Sequence, residues 1–150
     1  MRVPKIPIRS FKPTARGAGH VFGKLETVVM ELLWSQPWQT VSEVEERVRR
    51  RREIAHTTVL TTLDRMYRKG YLTREKQGRA FVYSPRYTSE EFERAMAEEV
   101  LGALLGQYSG PALSAFVELV GQDLGALDRL EAMIREKRRE QSRAEPRQAE

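Results

Sequence analysis

The chain has 150 residues, of which 40% are hydrophobic and 31% charged, so it holds enough apolar side chain for a core and enough charge for a hydrated surface. It has no cysteine, which excludes disulfides and thiolate metal sites. No apolar run approaches the roughly 20 residues that cross a bilayer, and the basic start lacks the apolar segment of a secretory signal, so we expect no membrane insertion and a cytoplasmic location.

The net charge of +5 is distributed unevenly along the chain. Residues 1–24 carry six Lys or Arg and no acid, and residues 25–87 carry 12 basic and 8 acidic residues. Residues 88–150 carry 8 basic and 13 acidic residues. Because basic segments attract polyanions, we expect the first 87 residues to contact nucleic acid and the remainder to contact protein.

Residues 1–20 contain three prolines and two glycines and show no helical periodicity. This composition predicts a flexible basic arm. Two interpretations stay open: the arm contacts phosphates or the minor groove, or it is a disordered leader with incidental charge.

The first predicted helix runs from Gly23 to Trp34 and ends before Pro37, which disfavours helical geometry at the residue before it. We expect Trp34 and Trp38 to cover the core, because lone aromatic residues near a helix end mostly serve packing. The apolar positions follow the i, i+3, i+4, i+7, i+8 spacing of an amphipathic helix. They are Leu25, Val28, Val29, Leu32 and Leu33.

Thr40 begins the second predicted helix, and Glu43 three residues later is its partner in a capping box. The stripe expected to be buried consists of Val41, Val44 and Val48. This pairing of a cap with an apolar stripe predicts a short helix on the core.

A basic tail follows the second helix, at Arg47 and residues 49–52. It either complements the helix dipole or binds phosphates beside a recognition helix. We take Arg50 and Arg51 as the candidate phosphate ligands.

The third predicted helix, from about Ala55 to Lys69, is the candidate recognition helix. Val59, Leu63 and Met66 recur at helical spacing and should be buried. At about 100° per residue, the opposite face carries hydroxyl groups and then guanidinium groups. These outward residues are Thr57, Thr61, Arg65 and Arg68, with Thr58 at the flank of the face.

Gly70 is expected to end this helix, and two β-prone runs follow it, Leu72–Gln77 and Ala80–Ser84. The Gly78-Arg79 pair between them predicts a hairpin. The cations of the hairpin are Arg74, Lys76 and Arg79. A helix with a polar, basic outer face followed by a basic hairpin is typical of a winged helix-turn-helix that binds DNA.

The aromatic and histidine residues nearby are interpreted as structural. Phe81 and Tyr83 should pack the wing onto the helices instead of stacking on bases. His56 is predicted on the buried flank of the third helix, and neither it nor His20 has a metal ligand or carboxylate at useful spacing. Without a nucleophile, a ligand cluster or a phosphate-binding glycine loop, we predict no enzyme activity, no metal and no cofactor.

Three amphipathic helices are predicted after residue 88, the first running from Ser89 as its N-cap to about Leu105. Breaks are predicted at Gly106–Gly110 and Gly121–Gly125. These helices either pack against the same helices of a second copy as a homodimer or fold back on the winged domain. The residues predicted at the dimer interface are Leu101, Leu104, Leu105, Leu113, Phe116, Leu119, Val120, Leu127, Leu130 and Ile134.

The predicted fold class is mainly α with a small β-hairpin (α+β), as a winged helix-turn-helix domain plus a C-terminal helical dimerisation domain. The order along the chain is a flexible basic arm, the winged helix, the dimerisation domain and a frayed tail. The predicted boundaries are 1–20, 21–87, 88–141 and 142–150.

About residues 20–140 resemble the BlaI/MecI (penicillinase repressor) family of winged-helix transcriptional repressors. Each matching motif is short, and their specificity comes from the set. The motifs are Leu25-Glu26, Val29-Met30, Leu33-Trp34, Thr40-Val41, Thr57-Thr58-Val59 with Thr61, Leu63 and Arg65, then Lys69-Gly70 and Gly78-Arg79-Ala80-Phe81-Val82-Tyr83-Ser84-Pro85.

The resemblance implies a homodimer that represses genes from a palindromic double-stranded DNA operator, with a link to β-lactam or cell-wall stress. It places base recognition at Thr57, Thr58, Leu60 and Thr61. Threonine hydroxyls suit base edges, and the Leu60 side chain suits a thymine methyl group. Arg65 and the wing Arg79 suit phosphates better.

Family members that respond to β-lactams are cleaved between an asparagine and a phenylalanine when a membrane sensor protease is triggered. The corresponding bond here is Ala115–Phe116, which lacks the asparagine, so the protease stays an open partner. Copper-responsive relatives use a cysteine cluster, which this chain does not have. The alternative function is a winged-helix protein-interaction adaptor without specific DNA readout.

Overall fold

The computed structural model describes residue 6 and residues 22–144. This part of the chain forms six helices and three strands in the order α1, β1, α2, α3, β2, β3, α4, α5, α6. Their bounds are Lys24–Ser35, Gln39–Thr40, Val41–Arg49, His56–Arg68, Leu72–Gln77, Ala80–Pro85, Ser89–Gln107, Ser109–Val120 and Leu124–Ala144.

The first three helices form where their apolar stripes predict, and the capping box predicted for α2 is present. The Thr40 amide donates to Oε2 of Glu43 at 2.7 Å, and the Glu43 amide donates to the Thr40 hydroxyl at 3.2 Å, which completes the capping box. On the candidate recognition helix α3, the whole predicted stripe is buried. The core residues that these three helices contribute include Val29, Leu32, Leu33, Val44, Val48, Val59, Leu63 and Met66.

The hairpin predicted from Gly78-Arg79 is part of a three-stranded antiparallel sheet in the order β1-β3-β2. Strand β2 pairs with β3 along its whole length, from Leu72 opposite Pro85 to Gln77 opposite Ala80. The third strand, β1, was not predicted, because its two residues are too few for an alternating pattern. It anchors the base of the wing to the segment before α2.

The core of the first compact unit includes the start of α4. Phe22 lies 4.7 Å from the ring centroid of Tyr71 and 5.2 Å from that of Phe92, and Trp34 lies 5.7 Å from Phe92. Burial of Phe92 and Ala95 on α4 extends this unit to Leu101. The predicted boundary at residue 87 is therefore earlier than the division in the structure.

The second compact unit starts at Gly102 and comprises the end of α4 with α5 and α6. None of the side chains of α5 and α6 is fully buried. The predicted helix breaks are shorter than expected, because Gly110 lies in the first turn of α5 and Gly125 in that of α6. The described part of the chain contains no helix with both the length and the apolar composition of a membrane span.

Several local predictions need correction. Trp38 is 45% exposed with a positive φ of 59°, so it does not cover the core, whereas Trp34 donates from Nε1 to the Tyr87 carbonyl at 2.9 Å. Thr88 caps α4 instead of Ser89, since its hydroxyl accepts from the Glu91 amide at 3.1 Å.

The predicted terminal segments lie mostly outside the described residues. Of the arm at residues 1–20, only Ile6 is described, and its side chain is buried in the core. Of the tail at residues 142–150, residues 142–144 continue α6 as helix, and the remainder lies outside the description.

Candidate nucleic-acid interface

The outer face of α3 carries the residues that the sequence placed there. Thr57, Thr58, Thr61 and Thr62 line a shallow groove together with Arg65. Of these residues, Thr62 is buried. The predicted DNA-binding residues of α3 are all exposed: Thr57, Thr58, Leu60, Thr61, Arg65 and Arg68.

The hydroxyl groups of this face differ in the hydrogen bonds that they can still make. The Thr61 hydroxyl donates to the Thr57 carbonyl at 2.7 Å, and the Thr62 hydroxyl donates to the Thr58 carbonyl at 2.8 Å. Their hydrogens are therefore engaged, and exposed Thr61 can only accept from a ligand. No side-chain hydrogen bond is seen for Thr57 and Thr58 within the described residues, so their hydroxyls can donate as well as accept.

Arg65 is tied to helix α1. Its Nε lies 3.3 Å from Oε1 of Glu26, and Nζ of Lys69 lies 3.9 Å from the same oxygen. Glu26 also accepts from the Gly23 amide at 3.2 Å through Oε2, and only 16% of its side chain is exposed. One carboxylate thus holds two cations at the edge of the candidate interface.

Arg68 and Arg74 share another acid, Asp64. Nε of Arg68 lies 2.9 Å from Oδ2 of Asp64, and Nη1 of Arg74 lies 3.1 Å from Oδ1. Arg68 remains 76% exposed, whereas Arg74 is 26% exposed and lies between two aromatic rings. The guanidinium of Arg74 is therefore engaged within the protein, and its contact with DNA stays a prediction.

The tip of the wing presents cations that have no such engagement. Lys76 and Arg79 are exposed, and neither forms an ion pair with any described residue. Gly78 has a φ of 63°, which suits the first central position of a two-residue hairpin turn and is costly for other residues. The turn therefore holds Arg79 at the outermost point of the sheet.

The basic tail after α2 is partly neutralised. Arg50 lies 3.4 Å from Glu46 and Arg51 lies 3.4 Å from Glu31, and all four side chains are more than half exposed. Exposed pairs of this kind are weak, so both arginines can exchange these partners for phosphates. Arg47 is a structural residue, because it donates to the Leu32 carbonyl at 3.0 Å.

His56 does not lie on the buried flank of α3 as predicted. It is exposed at the first turn of α3, and its Nδ1 contacts Glu45, which also pairs with Arg49 at 2.6 Å. Glu45 itself is largely buried. The contact links the start of α3 to α2.

Two acids in this site, Glu26 and Asp64, were missed by the sequence analysis. Asp64 precedes Arg68 by four residues, and this spacing predicts a helical ion pair. Nothing in the sequence indicates the pairing of Glu26 with Arg65, since 39 positions separate them and only the packing of α1 on α3 brings them together.

An exposed helix face of hydroxyl groups and cations, beside a wing whose tip cations pair with no described acid, defines a winged-helix domain of the class found in regulators of transcription. The chain belongs to the penicillinase repressor family, whose model it matches over residues 22–136. This confirms the resemblance seen in the sequence. Membership of a repressor family also confirms that the chain is not an enzyme.

The chain is also similar to individual proteins over part of its length. The transcriptional regulator BlaI of Mycobacterium tuberculosis (strain H37Rv) is 37% identical over 103 residues, which are 67% of this chain and 75% of the relative. The methicillin resistance regulatory protein MecI of Staphylococcus aureus (strain N315) is 26% identical over 58 residues, 39% of this chain and 47% of MecI. The solved DNA-binding domain of the repressor BlaI is 28% identical with a TM-score of 0.43, covering 47% of this chain and 85% of that domain.

Proposed function

We propose that the chain is a sequence-specific DNA-binding repressor that acts in the cytoplasm as a homodimer on a palindromic operator. The observation that carries this proposal is a hydroxyl-lined outer face on α3 together with wing-tip cations that form no ion pair with any described residue. Such a face fits the major groove, and such a tip reaches the flanking backbone.

Base recognition is assigned to the first two turns of α3. Thr57 and Thr58 have hydroxyls that can donate to or accept from base edges, and Thr61 accepts from an amino group or presents its methyl group. Leu60 is exposed and offers an apolar contact to a thymine methyl group.

Phosphate binding is assigned to the cations around this face. Arg65, Arg68 and the wing residues Lys76 and Arg79 are exposed, and Arg50 with Arg51 extends the positive surface. Phosphate contacts position a protein on the duplex without reading sequence. They also release counterions, so binding should weaken steeply with salt.

Dimerisation is assigned to the second compact unit. Its apolar side chains remain exposed in the single chain, including Leu104, Leu113, Phe116 and Leu119. A second copy related by a two-fold axis would cover them, and a two-fold dimer fits a palindromic operator. The other members of the proposed interface within this unit are Leu105, Val120, Leu127, Leu130 and Ile134, and Leu101 directly precedes the unit.

The regulated genes are proposed to belong to a β-lactam or cell-wall stress response, as the family membership suggests. Proteolytic induction is left out of the proposal. The Ala115–Phe116 bond lies inside α5, whereas proteolytic nicking favours exposed loop tips, and the asparagine before the bond is absent.

The test is selection of a preferred operator from random duplex DNA, followed by titration of that operator and a scrambled duplex. Thr61→Ala should reduce the preference for the operator about fivefold, by the loss of roughly 1 kcal/mol of base readout. Arg79→Ala should weaken both duplexes equally and lower the salt slope by about one. Both measurements can be made by gel shift or fluorescence anisotropy.

Arg94→Ala is the matched control, because Arg94 pairs with Glu98 within α4 and should leave affinity and salt slope unchanged. Equal affinity of the wild-type chain for the selected and scrambled duplexes would exclude sequence-specific repression. Absence of any duplex binding would favour the protein-interaction adaptor instead.

A further inference from the structure

The guanidinium group of Arg74 joins the wing to the recognition helix. Arg74 lies on β2, and its Cζ is 4.1 Å from the ring centroid of Tyr67 on α3 and 4.3 Å from that of Phe81 on β3. Both distances are within the range of cation–π attraction. The cation therefore contacts aromatic rings from two different elements.

Arg74 also forms an ion pair with Asp64 on α3, which fixes the orientation of its guanidinium group. Nη1 of Arg74 lies 3.1 Å from Oδ1 of Asp64, and the other carboxylate oxygen of Asp64 binds Arg68. Asp64 and Tyr67 are three residues apart on one helix face. The side chain of Tyr83, which pairs opposite Arg74 in the sheet, is the main influence that raises the pKa of Arg74 above its ordinary value.

From this arrangement we propose that Arg74 is a positioning residue, which sets the direction of the wing relative to α3 so that Arg79 reaches the DNA backbone. The inference rests on the proposed function. A hairpin of two strands is only marginally stable alone, and beyond Arg74 the residues of β2 are exposed. Contacts at the base of the wing therefore decide where its tip lies.

Arginine is required for this role because its planar group can lie between two rings and still donate to a carboxylate. Lysine at this position keeps the charge and can reach Asp64, but it cannot form the same stack. Arg74→Lys therefore removes the contacts with the two rings while keeping the positive charge. Arg68→Lys is the matched control, since Arg68 pairs with the same Asp64 and is largely exposed.

The first experiment measures hydrogen exchange of the amides of residues 76–80 in the free full-length protein. Arg74→Lys should accelerate exchange at these wing amides about tenfold, as expected for the loss of two cation–π contacts. Exchange in α1 should stay unchanged, and Arg68→Lys should leave the wing as in wild type. Unchanged wing exchange in Arg74→Lys would overturn the proposal.

The second experiment is a double-mutant cycle on the selected operator. In the wild-type background Arg79→Ala weakens binding, whereas in the Arg74→Lys background it should change affinity by less than about twofold, because the tip is no longer positioned. Thr61→Ala should keep its full effect in both backgrounds. A role in global stability alone, or direct phosphate binding by Arg74, would make the Arg74 and Arg79 effects additive, and additivity would overturn the proposal.

The two experiments fail separately. Hydrogen exchange needs no DNA, so it decides whether Arg74 holds the wing even if the chain binds no duplex. If the chain binds no duplex, the proposed function is wrong, and the inference that Arg74 positions Arg79 for DNA is wrong as well.

Discussion

Single acids decide how much of the positive charge of the interface is free. Glu26 on α1 pairs with Arg65 and Lys69, and Asp64 pairs with Arg68 and Arg74. By contrast, the wing cation Arg79 has no acidic partner among the described residues. We therefore expect the affinity for DNA to depend on these acids as well as on the cations.

The variant Glu26→Gln tests whether this acid limits the affinity for DNA. Glutamine can still accept from the Gly23 amide, so the cap survives, but Arg65 and Lys69 lose their counter-charge. Affinity for operator and scrambled duplex should rise together by about two- to tenfold, because a nearby negative charge repels phosphates. Fluorescence anisotropy titrations at several salt concentrations measure both affinities.

Glu98→Gln removes the same charge from an ion pair within α4 and serves as the control. If Glu26→Gln weakened operator binding instead, Glu26 would be orienting Arg65 for contact, and the view of Glu26 as a competitor of phosphate would be wrong.

At the scale of one element, α2 shows how a short helix depends on its cap. It has nine residues, which is too few for stability in isolation. Thr40→Ala removes the hydroxyl that accepts from the Glu43 amide, and it should lower the free energy of unfolding by about 1 kcal/mol. Urea unfolding measures this, and Ser42→Ala, at an exposed position of the same helix, is the control.

The same cap predicts a dependence on pH. Hydrogen bonds from the Thr40 amide and then its hydroxyl lower the pKa of Glu43 below its ordinary value of 4.5. A lowered pKa in the folded state gives stability that is present above pH 4.5 and is lost as pH falls through the lowered pKa. The stability difference between wild type and Glu43→Gln should therefore shrink on acidification. A difference that grew with acid would contradict this sign.

At the scale of the whole molecule, the exposed apolar surface of the second compact unit is the main feature that a single chain leaves unexplained. Leu119 is 68% exposed on α5, so Leu119→Lys should not disturb the fold of one chain. In a dimer it would place an unpaired charge in an apolar interface, which costs several kcal/mol. Sedimentation should show loss of the dimer, and operator affinity should fall about tenfold or more.

Gln122→Lys introduces the same charge between α5 and α6, at an exposed polar position, and should leave the dimer intact. A Leu119→Lys protein that sedimented as a dimer with unchanged affinity would place the interface elsewhere.

The sequence by itself determined the six helices, the hairpin and the outward face of α3. Apolar spacing identified the buried stripe of Val59, Leu63 and Met66, and the pairing of Gly78 with Arg79 identified the wing. These signals are local, since periodicity, caps and turn glycines act within a few residues. For the same reason the outward threonines were predictable as a set.

Only the tertiary structure decided which cations are available and where the compact unit ends. Arg74 and Arg79 look alike in the sequence of the wing, but Arg74 contacts the rings of Tyr67 and Phe81, whereas Arg79 at the tip pairs with no acid in the described part of the chain. Strand β1, the Glu26 pair with Arg65 and the burial of Phe92 likewise depend on residues far apart in the chain. Contacts over such separations form only when the helices pack, so no local pattern could reveal them.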